Sequence, residues 1–258
     1  MKKIFSPLLC VISASLLLLT SCNGIFDDIY DVPTPTEGSF HVDASSWKTW
    51  SYIDLPAVCD SLRRNPAFDA SASITTVAIP TTAEGDMETV NGHQKCGQYT
   101  YWYDVFGEGI TKSEFRSFVP TAAQPDPEHW TIAFHRDNVR TNGCGVYETH
   151  YTSFDELPPS DTFRDLTFTP DEWSENDVWD DQSTLMKCLV PSQGIMINKV
   201  LSSWLVMSLP PIPPSFAHND HVFILRLKDG TYGALRLANY VSPQGVKCNL
   251  TIEYKYPL

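Results

Sequence analysis

Basic residues are scarce in this chain. Among 258 residues there are 18 Lys and Arg against 31 Asp and Glu, which gives a formal net charge of −13 at pH 7. No basic run is longer than two residues, as in Arg63-Arg64. A chain with this charge repels nucleic-acid phosphates and anionic lipid surfaces. We therefore expect no nucleic-acid partner, and contact with a membrane through a covalent lipid anchor only.

The common catalytic and metal motifs are missing as well. The sequence has no Cys-x-x-Cys pair, no His-Glu-x-x-His, no Gly-x-Ser-x-Gly elbow and no Gly-rich phosphate loop. Carboxylates concentrate between Asp171 and Asp181, where Trp173 and Trp179 accompany them. That stretch is typical of a solvated loop with two anchoring indoles, and a glycan-facing acidic patch is the alternative. We predict that the protein is not an enzyme, with a carboxylate glycosidase as the weakest hypothesis.

Residues 1–21 have the pattern of a signal peptide. A positive start, Met1-Lys2-Lys3, precedes the apolar stretch Ile4–Thr20, which Ser and Pro residues interrupt. This stretch is too short and broken for a membrane span of about 20 residues. The following Leu19-Thr20-Ser21-Cys22 resembles the bacterial lipobox, which implies that Cys22 is acylated. The alternative is an ordinary signal peptide in which Cys22 is incidental.

The next segment, residues 22–38, is acidic and contains two Pro-Thr pairs. Its composition indicates an extended tether. The cluster of Asp27, Asp28 and Asp31 resembles the surface-export signal of Bacteroidetes lipoproteins, although a plain acidic linker has the same composition. We therefore expect a lipid-anchored protein of the outer membrane, exposed at the cell surface.

The clearest regular structure lies at the C-terminus. The runs His221–Leu227 and Tyr232–Tyr240 flank the turn dipeptide Asp229-Gly230 and predict a β-hairpin. The segment Lys247–Tyr256 then alternates strictly between apolar and polar residues. Together they predict a three-stranded antiparallel meander. The residues expected to point inward from the last strand are Cys248, Leu250, Ile252, Tyr254 and Tyr256.

The rest of the body is predicted to be mostly β, with long irregular loops that Pro-rich stretches keep free of long helices. Further strands are expected at Phe40–Val42, Trp47–Leu55, Gln98–Val105 and His129–Arg136, and short helical turns at Val58–Arg64 and Pro170–Asn176. We predict a single domain over residues 39–258 with an insertion at about 56–127.

Three stretches resemble the HmuY family, the haem-binding surface lipoproteins of Bacteroidetes. The first is Val42–Ser45 followed by Trp47, Trp50 and Tyr52, the second is Trp130–Gly143, and the third is Asn198–Leu258. The resemblance implies an antiparallel β fold with fingers that grip haem b. It also implies that the protein takes haem from host haem proteins and passes it to an outer-membrane TonB-dependent receptor.

The resemblance further implies two axial ligands, one before and one after Trp204. Where some members have a histidine, this sequence has Leu209, which cannot bind iron. If the strand is extended, Met207 lies on the same face as Leu209, and a thioether is an established haem ligand. We predict Met186 and Met207 as the pair, with Met196 as a fallback. The alternative is that these methionines fill gaps in an apolar core.

Other residues leave two interpretations open. Arg136 and Arg140 either bind haem propionates or are framework residues buried against carboxylates, next to an Asn142-Gly143 turn. The two imidazoles of His218 and His221 would share a metal only in a bent loop. The aromatic cluster Tyr99, Tyr101, Trp102, Tyr103 and Phe106 either stacks on a porphyrin or sugar or is the buried face of a strand.

Five cysteines remain after removal of the signal peptide and acylation of Cys22, and they allow up to two disulfides of unknown connectivity. They are Cys59, Cys96, Cys144, Cys188 and Cys248. Together with the lipobox, the resemblance to the HmuY family implies a haem-binding surface lipoprotein. The alternative from a different class is a surface lipoprotein of the same fold for adhesion or glycan binding, without haem ligation.

Overall fold

The computed structural model describes residues 37–79, 83–84, 98–104, 109–116, 118–119, 125–178, 190–208 and 213–258. For 83–119, 175–178 and 190–194 it gives the backbone alone. All of these residues belong to one compact unit, Pro35–Leu258. The predicted signal peptide and most of the tether lie outside the described residues.

The described residues form antiparallel strands and few helices. The helices are α1 (Leu55–Arg64) and α2 (Lys199–Ser202), with 3₁₀ turns at Ala70–Ser73, Phe154–Glu156 and Ser160–Asp165. The strands are β1 (Glu37–Asp43), β2 (Thr49–Ile53), β3 (Thr75–Ala78), β4 (Ala83–Glu84), β5 (Gln98–Asp104), β6 (Gly109–Arg116), β7 (Phe118–Val119), β8 (Ile132–His135), β9 (Asn138–Thr141), β10 (Gly145–Glu148), β11 (Glu172–Val178), β12 (Val190–Ile197), β13 (Leu205–Ser208), β14 (Ser215–His218), β15 (Phe223–Arg226), β16 (Tyr232–Val241) and β17 (Lys247–Lys255).

The predicted meander is confirmed. Strands β15, β16 and β17 are consecutive neighbours in a five-stranded sheet of order β1-β17-β16-β15-β10. Along β17 the burial alternates strictly, and all five side chains predicted to point inward are buried. Gly230 adopts a positive φ of 86° in the turn after β15, as the Asp-Gly dipeptide predicted.

A second sheet, of order β3-β2-β8-β9, packs against the first. Aromatic rings fill the space between them: Phe134 of β8 stacks on Trp204 at 6.1 Å between ring centroids, and Trp204 meets Phe223 of β15 edge to face, also at 6.1 Å. Trp204 is fully buried. Because β13 begins at the next residue, the buried Trp204 side chain anchors the start of that strand in the core.

The remaining strands form a sheet of order β11-β12-β5-β6 and two ribbons, β13-β14 and β4-β7. The helical turn predicted at Pro170–Asn176 is wrong, because this segment enters β11 and pairs with β12, with Trp173 opposite Met196. The turn predicted at Val58–Arg64 is confirmed as the greater part of α1, which buries Val58 and Leu62. Among the described residues, no helix has the length and apolar content needed to span a bilayer.

Candidate functional site

Met207 lies on β13, one strand of the β13-β14 ribbon. Leu205 is buried, Val206 is 45% exposed and Met207 is half-buried, so Leu205 and Met207 share a face as predicted. On the facing strand, Met207 lies opposite Phe216. Leu209, expected on the same face, is outside the described residues. The thioether of Met207 is therefore on the side of the ribbon that faces the body.

The turn between β8 and β9 holds Met207 in place from two directions. The Met207 N–H donates to Asp137 Oδ2 at 2.8 Å, and Arg136 Nη2 donates to Met207 Sδ at 3.9 Å. This hairpin belongs to the sequence block Trp130–Gly143. The structure thus brings a predicted iron ligand together with Arg136, for which the sequence left propionate binding and a framework role open.

Arg136 itself has an unusual conformation. Its φ is +58°, a region that non-glycine residues enter at a cost. Its guanidinium donates to the Ser45 carbonyl at 2.8 Å and lies 4.0 Å from the centre of the Trp47 ring. The Nε atom is buried and has no hydrogen-bond partner. No ion pair joins Arg136 to a carboxylate of the described residues.

Arg140, four residues on, is a framework residue. Its side chain is only 8% exposed and forms an ion pair with Asp126. The guanidinium also donates to the Tyr52 hydroxyl. Rings of Trp50 and Trp130 lie 5.0 and 4.9 Å from it. Burial raises the pKa of Tyr52 far above its usual range, and the Arg140 charge only partly opposes this. The framework interpretation is confirmed for Arg140, which is already neutralised.

Of the other two methionines proposed as ligands, Met196 is described and Met186 is not. Met196 is half-buried on β12, between buried Ile195 and Ile197 and opposite Trp173 on β11. It therefore belongs to a different sheet from Met207. The ligand pair remains a prediction.

The comparison with known proteins bears on the whole body. The family model described as HmuY protein matches residues 46–254. The chain belongs to the HmuY family. The matched range contains both the β8-β9 hairpin and Met207. No curated protein matches the chain.

Solved structures of the HmuY type share this fold. One, from Bacteroides vulgatus and assigned as a HmuY-like haem-binding protein, is 26% identical with a TM-score of 0.58, and the match covers 86% of this chain and 93% of that one. A protein from Bacteroides fragilis assigned as a lipoprotein is 26% identical, with a TM-score of 0.56 and coverage of 86% and 90%. An apo HmuY analogue from Tannerella forsythia is 17% identical, with a TM-score of 0.55 and coverage of 86% and 96%.

In this HmuY-family chain the two histidines of residues 218–221 serve separate roles. His218 Nε2 is 2.7 Å from the Leu237 carbonyl, whereas His221 Nδ1 is 2.9 Å from Glu148 Oε1. In the part of the chain that the structure describes, no group of three or more His, Cys, Asp or Glu side chains is suited to a metal ion. The shared metal site considered for these histidines is therefore not formed by the described residues.

Three of the five cysteines of the predicted mature protein are free thiols in the interior. They are Cys59, Cys144 and Cys248. Burial raises the pKa of Cys144 to about 12 and that of Cys248 to about 12. The expectation of up to two internal disulfides is thereby reduced to at most one, between Cys96 and Cys188, which lie outside the described residues.

A small surface cleft of about 250 Å³ opens elsewhere on the HmuY body. Its lining includes Trp130, Asn142, Lys228 and Asp229, and it contains none of the methionines. Lys228 Nζ donates to Asn142 Oδ1 at 2.6 Å, so its charge is engaged within the wall. Four members of the predicted aromatic cluster lie on β5, where only the backbone is described, and Phe106 lies outside the described residues, so the two interpretations of the cluster stay open.

Proposed function

We propose that this HmuY-family protein is a lipid-anchored surface protein of the outer membrane that binds haem b. It would take haem from host haem proteins and pass it to a TonB-dependent receptor. The observation that supports this best is the half-buried thioether of Met207, held by the Arg136-Asp137 turn at the edge of the fold. The family and the haem-binding assignment of a 26% identical relative point the same way.

The chemistry of Met207 suits this role. A thioether is a neutral, soft donor and an established axial ligand of haem iron. Asp137 accepts a hydrogen bond from the Met207 N–H, which restrains the backbone at this position and lowers the ordering cost of coordination. The second donor must approach iron from the opposite side. We propose Met186 for that position, with Met196 as the fallback.

The test is a titration of the full-length protein in mild detergent with haem, following the Soret band. We expect a saturable change at micromolar haem, weakened by Met207→Leu, which keeps the apolar volume and removes the lone pair. Met186→Leu should do the same, and Met196→Leu should do so only if the fallback is correct. Met207→His should instead retain binding and move the Soret band, because the axial donor changes from sulfur to nitrogen.

The control is Met87→Leu, which removes a methionine that no part of the proposal uses. Absence of any saturable change in the wild type would contradict haem binding and leave the adhesive or glycan-binding alternative. Haem binding that survives unchanged in all methionine variants would instead contradict the ligands alone.

The anchor is tested separately. We propose that Cys22 carries the acyl chains and that residues 22–38 form the tether, as the lipoprotein assignment of the Bacteroides fragilis relative supports. Cys22→Ala should abolish incorporation of labelled palmitate and release the protein from membranes. Digestion of intact cells by added protease should remove the wild-type body if it is displayed at the surface, and a protected body would contradict that placement.

A further inference from the structure

Among the described residues Arg136 has no counterion, whereas Arg140 in the same hairpin has one. Arg140 is enclosed by aromatic rings and paired with Asp126. Arg136 has a carbonyl, an aromatic ring and a thioether as its contacts, and its Nε is buried without a partner. None of these contacts neutralises the charge. A half-buried guanidinium normally gains most from a bidentate carboxylate, which satisfies two donors at once.

The carboxylate that follows Arg136 in the sequence accepts a hydrogen bond from another residue. Asp137, next in the turn, accepts the Met207 N–H through Oδ2 at 2.8 Å. Arg136 Nη2 is left with the sulfur at 3.9 Å, and a thioether is a weak acceptor. The positive φ of Arg136 keeps the side chain at this place despite its backbone cost. The guanidinium therefore lies beside the proposed metal ligand with N–H groups that can still donate to a ligand.

We propose that Arg136 binds a carboxylate of the ligand while Met207 coordinates its metal. This rests on the proposed function and adds a specificity-determining residue to it, namely a requirement for an anionic arm on the metal-bearing ring. When the carboxylate arrives, Nη2 exchanges the sulfur for an oxygen. The lone pair of Met207 that Arg136 occupies in the free protein then becomes available to the metal.

The distances are compatible with one ligand that makes both contacts. Arg136 Nη2 is 3.9 Å from Met207 Sδ. A metal–sulfur bond is about 2.3 Å long, so the metal lies within about 6 Å of Nη2. A hydrogen bond of about 2.9 Å then reaches an oxygen at most about 9 Å from the metal. This is the range of a flexible carboxylate arm at the edge of a porphyrin, such as a haem propionate.

The experiment compares haem with its dimethyl ester, which keeps iron and ring but lacks the two carboxylate charges. Full-length wild type, Arg136→Gln and Arg136→Lys are titrated in the same detergent and co-solvent. We expect the wild type to bind haem about ten- to a hundredfold more tightly than the diester, from the usual strength of a charge-assisted hydrogen bond. In Arg136→Gln this ratio should fall towards one, chiefly through weaker haem binding. Arg136→Lys should keep part of it.

The matched control is Arg63→Gln, which removes an exposed arginine paired with Asp60 and should leave the ratio at its wild-type value. Thermal unfolding of each variant shows whether the fold is retained, and the ratio within one variant is insensitive to a loss of active protein. A ratio that is the same in Arg136→Gln and wild type overturns the inference and leaves haem binding intact. Failure of wild type to bind either compound overturns both the inference and the proposed function.

Discussion

The ion pair between Arg140 and Asp126 offers the sharpest test of what holds the hairpin block together. Arg140 is 8% exposed, whereas Asp126 is 35% exposed. If its partner is removed, Asp126 can be solvated by water, whereas Arg140 cannot. Removing the charge of Asp126 leaves a buried guanidinium uncompensated, but removing Arg140 leaves a carboxylate that can turn towards solvent. We expect the two single substitutions to have unequal costs.

Asp126→Asn should lower the free energy of unfolding by about 2 kcal/mol. Breaking a fully buried pair from one side costs about 3–5 kcal/mol, and the partial exposure of Asp126 reduces that figure. Arg140→Met should cost only about 1 kcal/mol, because the apolar chain still packs between Trp50 and Trp130 while the cation–π contacts are lost.

The double variant Asp126→Asn/Arg140→Met should cost no more than Arg140→Met alone, because the charge left unpaired by the first substitution is removed by the second. Urea unfolding followed by tryptophan fluorescence measures all three. Asp60→Asn is the control, since its pair with Arg63 is exposed on both sides and should be worth under about 0.5 kcal/mol. Strictly additive costs, or a larger cost for Arg140→Met than for Asp126→Asn, would refute the reasoning.

Three further outcomes follow from buried titratable groups. Burial holds the pKa of Tyr52 above its unfolded value of about 10. Above about pH 10 the unfolded state therefore loses this proton while the folded state keeps it, so the free energy of unfolding falls as the pH rises. Urea unfolding should show a smaller fall in Tyr52→Phe. The thiols of Cys59, Cys144 and Cys248 should resist iodoacetamide at pH 8 and react in urea, as peptide mass spectrometry would show, and native labelling would contradict their burial. Burial also raises the pKa of Asp171, so ionised Asp171 destabilises the folded state at neutral pH. This destabilisation fades as the pH falls through the folded-state pKa towards about 4. Relative to Asp171→Asn, the wild type should therefore gain stability between pH 7 and pH 4, and a difference that does not change with pH would contradict the prediction.

Much of the fold could be predicted because the relevant signals are local. The alternation along β17 specifies which side chains are buried whatever strand lies beside it, and Asp229-Gly230 specifies its own turn. The segment at 170–176 was predicted wrongly because its extended form depends on hydrogen bonds to β12, some twenty residues later in the chain. Pairing between strands that far apart in the sequence cannot be recognised from the residues of one strand alone.

The candidate site was predictable only in part for the same reason. The shared face of Leu205 and Met207 follows from the period of an extended strand. The contact of Met207 with Arg136 spans 71 residues, and that of Arg140 with Tyr52 spans 88. The two arginines therefore had the same interpretations from the sequence, and only the structure shows that Arg140 is paired with a carboxylate while Arg136 forms an ion pair with none of the described residues.

The pairing of β1 with β17 determines how the body responds to force. Glu37 lies opposite Lys255, with an ion pair between their side chains, and the register continues to Asp43 opposite Asn249. A pull on the chain at Glu37 enters an edge strand. A force directed across the sheet separates the paired residues of β1 and β17 one after another, starting at Glu37 and Lys255. A force directed along the strand acts on all seven pairs at the same time. The direction in which the body is pulled thus decides whether it peels readily or resists as a unit.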